Sequence, residues 1–250
     1  MAAPAERPRL VRRGRPLKRW RWVGVFSPDL MLCVGDARVG PLRRRWWAVA
    51  LPDGTLRGGA RGVSVSPGRV WVEGVIDIAL DENDGVEVTS PAERGGWIWT
   101  CKQGGVPARG MVELDGRAYD IDAPAIVDDS VGYHDRRTAW RWSAGVGSAE
   151  DGAPVAWNLV DGIHDAPAAS ERRVWRGGEA VEVDPVEFAA DLSRVASLSF
   201  TAWATREENV NLLLFRSRYR QPFGTFSGEL PDGTRLRDGY GVMEEHDALW

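Results

Sequence analysis

Leu230-Pro-Asp-Gly-Thr-Arg-Leu-Arg-Asp-Gly-Tyr-Gly-Val242 holds two Asp-Gly pairs within thirteen residues. Asp tolerates turn geometry and Gly supplies a positive φ, so Asp-Gly between alternating apolar and polar residues signals a β-hairpin. The stretch has a near twin in Leu51-Pro-Asp-Gly-Thr-Leu-Arg-Gly-Gly-Ala-Arg-Gly-Val63. Either a duplicated β unit or two hairpins under the same turn chemistry accounts for the likeness. Asp-Gly occurs at 53–54, 84–85, 115–116, 151–152, 161–162, 232–233 and 238–239. Between these pairs lie segments with a period of two, among them Arg19–Phe26, Arg69–Leu80, Val106–Leu114, Thr138–Gly147 and Asn209–Tyr219. They are rich in Val, Trp, Phe and Ile, the residues that suit a half-buried strand. Val186–Val195 offers the best helical spacing. The pattern predicts an all-β chain of two antiparallel barrel or sandwich units with at most one or two short helices. The expected division is a flexible basic arm at 1–18, a first β unit at 19–125 and a second at 126–250.

With 43% hydrophobic and 27% charged residues, the chain of 250 residues has the composition of an ordinary globular protein. Its thirteen tryptophans are not ordinary; they predict a heavily aromatic core or an aromatic-lined cavity. The net charge of −4 conceals a gradient, since residues 1–50 carry twelve Arg or Lys against three Asp or Glu. A basic head fits weak peripheral contact with an anionic membrane. No nucleic-acid motif accompanies it, so no nucleic-acid partner is expected. Of the cationic residues only Lys18 and Lys102 are lysine. Cys33 and Cys101 stand far apart and outside any paired motif, which predicts buried free thiols and a cytoplasmic location. The basic start is followed by no apolar run, and no apolar window of about 18 residues exists, so neither a secretory leader nor a membrane span is expected.

Residues Asp128 to Gly147, DDSVGYHDRRTAWRWSAGVG, combine titratable and aromatic side chains most densely. The candidate catalytic residues are Tyr133, His134 and Asp135, with Glu245 and His246 from the C-terminal end. A carboxylate such as Asp135, its pKa raised among tryptophans, would protonate an alkene or activate water. Tyr133 would orient it and His134 would act as base. In extended chain, Tyr133 and Asp135 share one face and His134 takes the other. The candidate ligand-binding residues are Trp140, Trp142, Trp157, Asn158, Arg218, Tyr219 and Arg220. Trp140 and Trp142 share a face, as do Trp20/Trp22 and Trp97/Trp99, and three such pairs could wall one interior. Arg216, Arg218 and Arg220 also share a face and suit an anionic group, or else ion pairs with Glu207, Glu208 and Glu244. A solvated or salt-bridged terminal acidic turn is the plain reading of Glu244–Asp247. Each of the three histidines precedes Asp, but metal-site spacing is absent, so neither metal nor cofactor is expected. Dinucleotide, P-loop and nucleophile-elbow motifs are missing as well. The segments around His134, Arg218 and His246 are expected to converge at one mouth or interior of the second unit, with arginines neutralising Asp128, Asp135, Glu244 and Glu245.

Four motifs add a resemblance: Gly132-Tyr133-His134-Asp135 with Trp140, Trp157-Asn158-Leu159-Val160-x-Gly162, Tyr219-Arg220-Gln221-Pro222-Phe223-Gly224, and Gly239-Tyr240-Gly241-Val242-Met243-Glu244-Glu245-His246. Together they resemble the bacterial domain-of-unknown-function family DUF 2804, with an N-terminus shorter than is usual there. That family is in turn distantly similar to the lipocalin-like carotenoid 1,2-hydratase and AttH-type proteins, whose Gly-Tyr-x-Asp-His motif is matched here through Asp135 and departs at Arg136. The resemblance implies two lipocalin-like, calycin-type units. The expected function is binding of an apolar small molecule, a lipid or isoprenoid, in an aromatic-lined cavity. The alternative is a cofactor-independent hydratase, cyclase or isomerase acting on such a molecule. A third reading makes Arg7–Arg21 with Trp20 and Trp22 an interfacial foot on a membrane.

Overall fold

The computed structural model describes residues 8–212 and 215–249. A two-stranded hairpin, β1 (Val11–Arg12) and β2 (Arg15–Pro16), leads into two large antiparallel sheets. The first sheet is built from β3 (Lys18–Phe26), β4 (Met31–Val39), β5 (Leu42–Ala50), β6 (Leu56–Gly59), β7 (Val63–Ser66), β8 (Arg69–Val72), β9 (Ile76–Leu80), β10 (Val86–Ala92), β11 (Gly96–Leu114) and β12 (Arg117–Gly132). The second contains β13 (Arg137–Ala149), β14 (Pro154–Asp161), β15 (Arg173–Arg176), β16 (Glu179–Glu182), β17 (Arg194–Val195), β18 (Ser197–Leu212), β19 (Phe215–Glu229) and β20 (Leu236–Leu249). In each sheet the first and last long strands pair at the centre: Lys18 opposite Gly132 across β3 and β12, and Arg137 opposite Leu249 across β13 and β20. β12 runs without a break past residue 125 and stays in the first sheet; the second begins at Arg137.

The turn chemistry explains the twin stretches. In Leu51–Thr55 the Leu51 N–H donates to the Thr55 carbonyl at 2.9 Å, and the Asp53 carboxylate accepts from the Thr55 N–H at 2.8 Å. In Leu230–Thr234 the same two bonds measure 2.8 and 3.0 Å. Ala149–Ala153, which lacks the Leu-Pro start, makes them at 2.9 and 3.1 Å. One turn solution therefore serves three hairpins, and its Gly sits at a φ of +87° to +89°. Asp238-Gly239 forms no turn; it lies inside β20. Val186–Val195 is not a helix. Pro185 precedes it, Leu192 adopts a positive φ of 64°, and the Ala189 N–H donates to the Arg194 carbonyl at 2.9 Å, which folds the segment back on itself. Among the described residues a single 3-10 turn, Glu93–Gly95, is the only helical element.

Both sheets curl, and this produces three apolar layers. Val23, Val34, Val70, Ile78, Val106 and Val127 fill the first sheet's own hollow. Trp157, Leu159, Val174, Leu198, Phe226 and Met243 fill the second's. Between the sheets, Trp22, Phe26, Met31 and Ile126 meet Trp142, Val146, Trp175 and Phe223. Strands such as β13 are thus buried on both faces in their middle, where Ser143-Ala144-Gly145-Val146 is small-residued. The bulk of tryptophan requires this. A Cβ on Gly145 would lie 2.2 Å from the Trp157 ring opposite it, and one on Gly35 would lie 2.3 Å from Trp46.

Candidate functional site

Strand alternation places polar side chains in the layer between the sheets. From the first sheet come Lys18 and Trp20 of β3, Lys102 of β11 and Asp128 of β12, with Lys102 directly opposite Asp128. From the second come Trp140 and Trp142 of β13, Glu244 and His246 of β20, and Tyr219 of β19, with Trp140, His246 and Tyr219 in one cross-strand row. Two clusters result.

Glu244 is the centre of one. Its carboxylate accepts from Trp140 Nε1, Tyr219 OH and Gln221 Nε2, each at 2.8 Å. Behind it, Cys33 Sγ lies 3.5 Å from Gln221 Oε1. The Arg206 guanidinium stands 4.8 Å over the Tyr219 ring. Burial raises the pKa of Glu244, against the opposing pull of the Tyr219 and Trp140 hydrogen bonds. Burial, and then the Glu244 charge, push Tyr219 well above the usual phenol range. His246 packs edge-on to Trp140 at 4.4 Å, its Nε2 lies 2.8 Å from Ser217 Oγ, and burial lowers its pKa to about 4.

Lys102 is the centre of the other. Its Nζ lies 2.6 Å from Asp128 and 3.4 Å from Glu171, and 5.8 Å from the Trp142 ring. Burial favours neutral Lys102, but the two carboxylates outweigh it and raise its pKa. Burial likewise raises Asp128 despite the ammonium beside it. Trp142 Nε1 donates to Asn158 Oδ1 at 2.8 Å, and Asn158 Nδ2 donates to the Glu171 carbonyl at 2.9 Å. His164 Nδ1 lies 2.9 Å from Ser90 Oγ, and burial lowers its pKa to about 3. Ring contacts flank both clusters: His134 to Trp20 at 4.8 Å and Trp20 to Trp140 at 6.5 Å beside Glu244, and Trp22 edge-on to Trp142 at 5.0 Å beside Lys102.

At the end of the layer near Glu244 a cavity of about 480 Å³ opens at the rim of the second sheet. Trp140, Tyr219, His246, Arg218, Arg220 and Glu245 are among its lining residues. The structure therefore brings Arg218, Tyr219, Arg220, Glu245, His246 and Trp140 together. His134 reaches this group only through Trp20 and Trp140. It is fully buried, burial holds its pKa well below the usual imidazole range, and neither ring nitrogen closes a hydrogen bond of standard geometry. Tyr133 donates to the Arg9 carbonyl at 2.7 Å and packs on Trp97, which ties down the segment after residue 8. Asp135 accepts from the Glu93 N–H at 2.8 Å and shares no hydrogen-bond or ion-pair partner with Glu245, which pairs with Arg141 at 3.0 Å. Trp157 packs on Phe226 inside the second sheet, and Asn158 braces Trp142. The Trp pairs at 20/22 and 140/142 pack on each other. Trp97 and Trp99 sit on the other face of β11, where Trp99 Nε1 reaches Glu87 at 3.2 Å. Sequence reading expected arginines to neutralise a buried Glu244, whereas its partners are the neutral donors of Trp140, Tyr219 and Gln221, and it missed Lys102, Glu171 and His164 as a cluster. One signal was available: in an arginine-biased chain both lysines, Lys18 and Lys102, are interior.

A two-sheet, wholly antiparallel chain with a buried acid–aromatic layer beside an open cavity is the class that fold and site define. The chain belongs to the family described as Domain of unknown function (DUF2804), whose model matches residues 55–250. No curated protein matches it in sequence. Similar solved structures include an AttH protein from Nitrosomonas europaea, at 11% identity over 98% of each chain with a TM-score of 0.47. Kievitone hydratase from Nectria haematococca is 11% identical over 90% of this chain and 88% of its own, with a TM-score of 0.48. CghA with Sch210972 is 10% identical over 93% and 88%, with a TM-score of 0.45. No helix among the described residues is long and apolar enough to cross a membrane.

Proposed function

We propose that the chain binds a small molecule with an apolar body and an anionic group, such as a fatty acid or an isoprenoid acid, in the cavity at the rim of the second sheet. The observation that carries this reading is Arg218, exposed and in no ion pair among the described residues, beside Trp140, Tyr219 and His246 in a cavity of about 480 Å³; the other lining arginines, Arg141 and Arg220, pair with Glu245 and Glu207 of the same lining. That volume falls within the usual range of small-molecule pockets, and rings with a few convergent charges are the usual lining. The indoles between the sheets are filled by one another, which favours the rim over the interior as the binding place. Native mass spectrometry of protein purified from its own cells, followed by extraction, tests the reading. An apolar acid should co-purify with wild type and be lost from Arg218→Gln/Arg220→Gln. Failure to recover or add back any such molecule would sink the proposal.

Glu244 favours a second reading, acid–base catalysis on the same molecule. Its pKa is raised by burial and its hydrogen-bond donor Tyr219 is among the cavity's lining residues; in this reading Tyr219 relays a proton from Glu244 to a bound alkene or water. Asp135, engaged with the Glu93 backbone, is poorly placed for that role. Glu244→Gln separates the readings: retained binding with lost turnover supports catalysis, and absence of turnover in wild type leaves the binder.

A further inference from the structure

The basic head expected from sequence forms a definite surface, although Arg7 lies outside the described residues and Trp20 and Trp22 turn inward. The Leu17 N–H donates to the Leu10 carbonyl at 2.8 Å and the Gly40 N–H to the Leu17 carbonyl at 2.9 Å. These bonds gather the β1–β2 hairpin and the β4–β5 turn at one end of the first sheet. Three aliphatic side chains project there into solvent: Leu42 is 73% exposed, Leu10 71% and Val11 57%. They are among the few large apolar side chains exposed anywhere in the described chain, and they occur together.

Beside them stand three like charges in one row. Arg19, Arg38 and Arg43 are direct cross-strand partners on β3, β4 and β5. Like charges directly opposite one another destabilise a sheet. Asp36 partly neutralises Arg43, whose Nε lies 2.9 Å from it, and Arg45 at 3.5 Å. Arg19 and Arg38 make no ion pair or hydrogen bond among the described residues. A row that repels itself within the protein is stabilised by an external anionic surface.

We infer that this end of the first sheet, with Leu10, Val11 and Leu42 flanked by Arg19, Arg38 and Arg43, docks on an anionic lipid bilayer. Aliphatic side chains would enter the headgroup boundary while guanidiniums meet the lipid charge. Single-stranded nucleic acid fits less well, because stacking platforms need exposed rings, and the nearby indoles are packed between the sheets.

Co-sedimentation with large vesicles tests this, using phosphatidylcholine alone and phosphatidylcholine mixed with phosphatidylserine. Wild type should partition onto the mixed vesicles and not the neutral ones. Arg19→Gln/Arg38→Gln should weaken that partitioning about thirtyfold, the effect expected for two charges near the surface, and added salt should erase the difference. Leu42→Ser should weaken binding at low and high salt alike. Arg69→Gln, on β8 where the arginine pairs with Asp77, should change nothing. Thermal melts confirm that each variant is folded. Equal partitioning to both vesicles, partitioning to neither, unchanged binding by the folded arginine variant, or tighter binding to a single-stranded oligonucleotide than to the mixed vesicles would each overturn the inference.

Discussion

The two ends of the layer between the sheets solve the same problem differently. At one end Glu244 is held by three neutral donors and lies one hydrogen bond from an open cavity. At the other, Lys102 is held between two carboxylates. Neutral partners leave an acid free to exchange its proton; a charged partner fixes the protonation state. The first arrangement suits chemistry or recognition, the second suits register, because Lys102 can meet Asp128 only if β11 and β12 pair as they do.

The largest test of that contrast is Lys102→Met. It leaves Asp128 and Glu171 buried without their cation, which should cost about 3–5 kcal/mol and lower the melting temperature by roughly 6–20 °C. Adding Asp128→Asn should recover part of it. A loss below about 1 kcal/mol would mean that the ammonium is dispensable.

Acid should distinguish the ends next. His164 and His246 have folded pKa values of about 3 and about 4, below the ordinary 6.5. The unfolded chain therefore takes up protons first, and stability should fall as pH drops from 6.5 toward those values, by up to about 1.4 kcal/mol per unit for each histidine. Chemical denaturation across that range should show a shallower slope for His164→Gln, and a smaller flattening for His246→Gln. Equal slopes in all three proteins would remove the distinction.

Glu244→Gln should cost less than Lys102→Met, about 1–3 kcal/mol for disturbed hydrogen bonds. Because the folded pKa of Glu244 is raised, its contribution is complete below the unfolded value near 4.5 and declines as pH rises through the folded value. The cost of the substitution should therefore be greater in acid than at alkaline pH, and the opposite trend in paired unfolding curves would show that Glu244 is held ionised.

Smallest of all is Arg218→Gln. The side chain is exposed at the rim, and its removal should change stability by less than about 0.5 kcal/mol while reducing retention of a co-purifying anionic molecule. A large stability loss would assign Arg218 to the fold instead.

The fold was legible because turns are local. Asp53-Gly54, Asp115-Gly116, Asp151-Gly152 and Asp232-Gly233 all sit at hairpin bends, and Ile76-Asp77-Ile78-Ala79-Leu80 alternates buried and exposed as its sequence does. Asp238-Gly239 misleads because a dipeptide cannot report the partner strands that hold it extended. The site was legible only in part. His246, Tyr219, Arg218 and Trp140, singled out by residue type and alternation, line one cavity. Glu244 and Glu245 look alike in sequence, and only the register of β20 shows that one enters the layer and the other the rim. Asp135 stood out because its neighbours are rich in function-like residues, and its hydrogen-bond partner, the Glu93 N–H, lies 42 residues away, beyond what a local reading can see.

The central pairing of first strand with last has a consequence for biosynthesis. The first sheet can close once Gly132 is available to Lys18, but the second cannot close until β20 reaches β13, because the strands between them flank that pair. A nascent chain therefore passes through a stage in which the face carrying Trp22, Phe26, Met31 and Ile126 has no cover and Lys102 is still hydrated. Such long-range closure is slow and leaves apolar surface exposed in the meantime. A ribosome pause before Leu236 would prolong this stage, and a chain released there would keep its most adhesive face toward water.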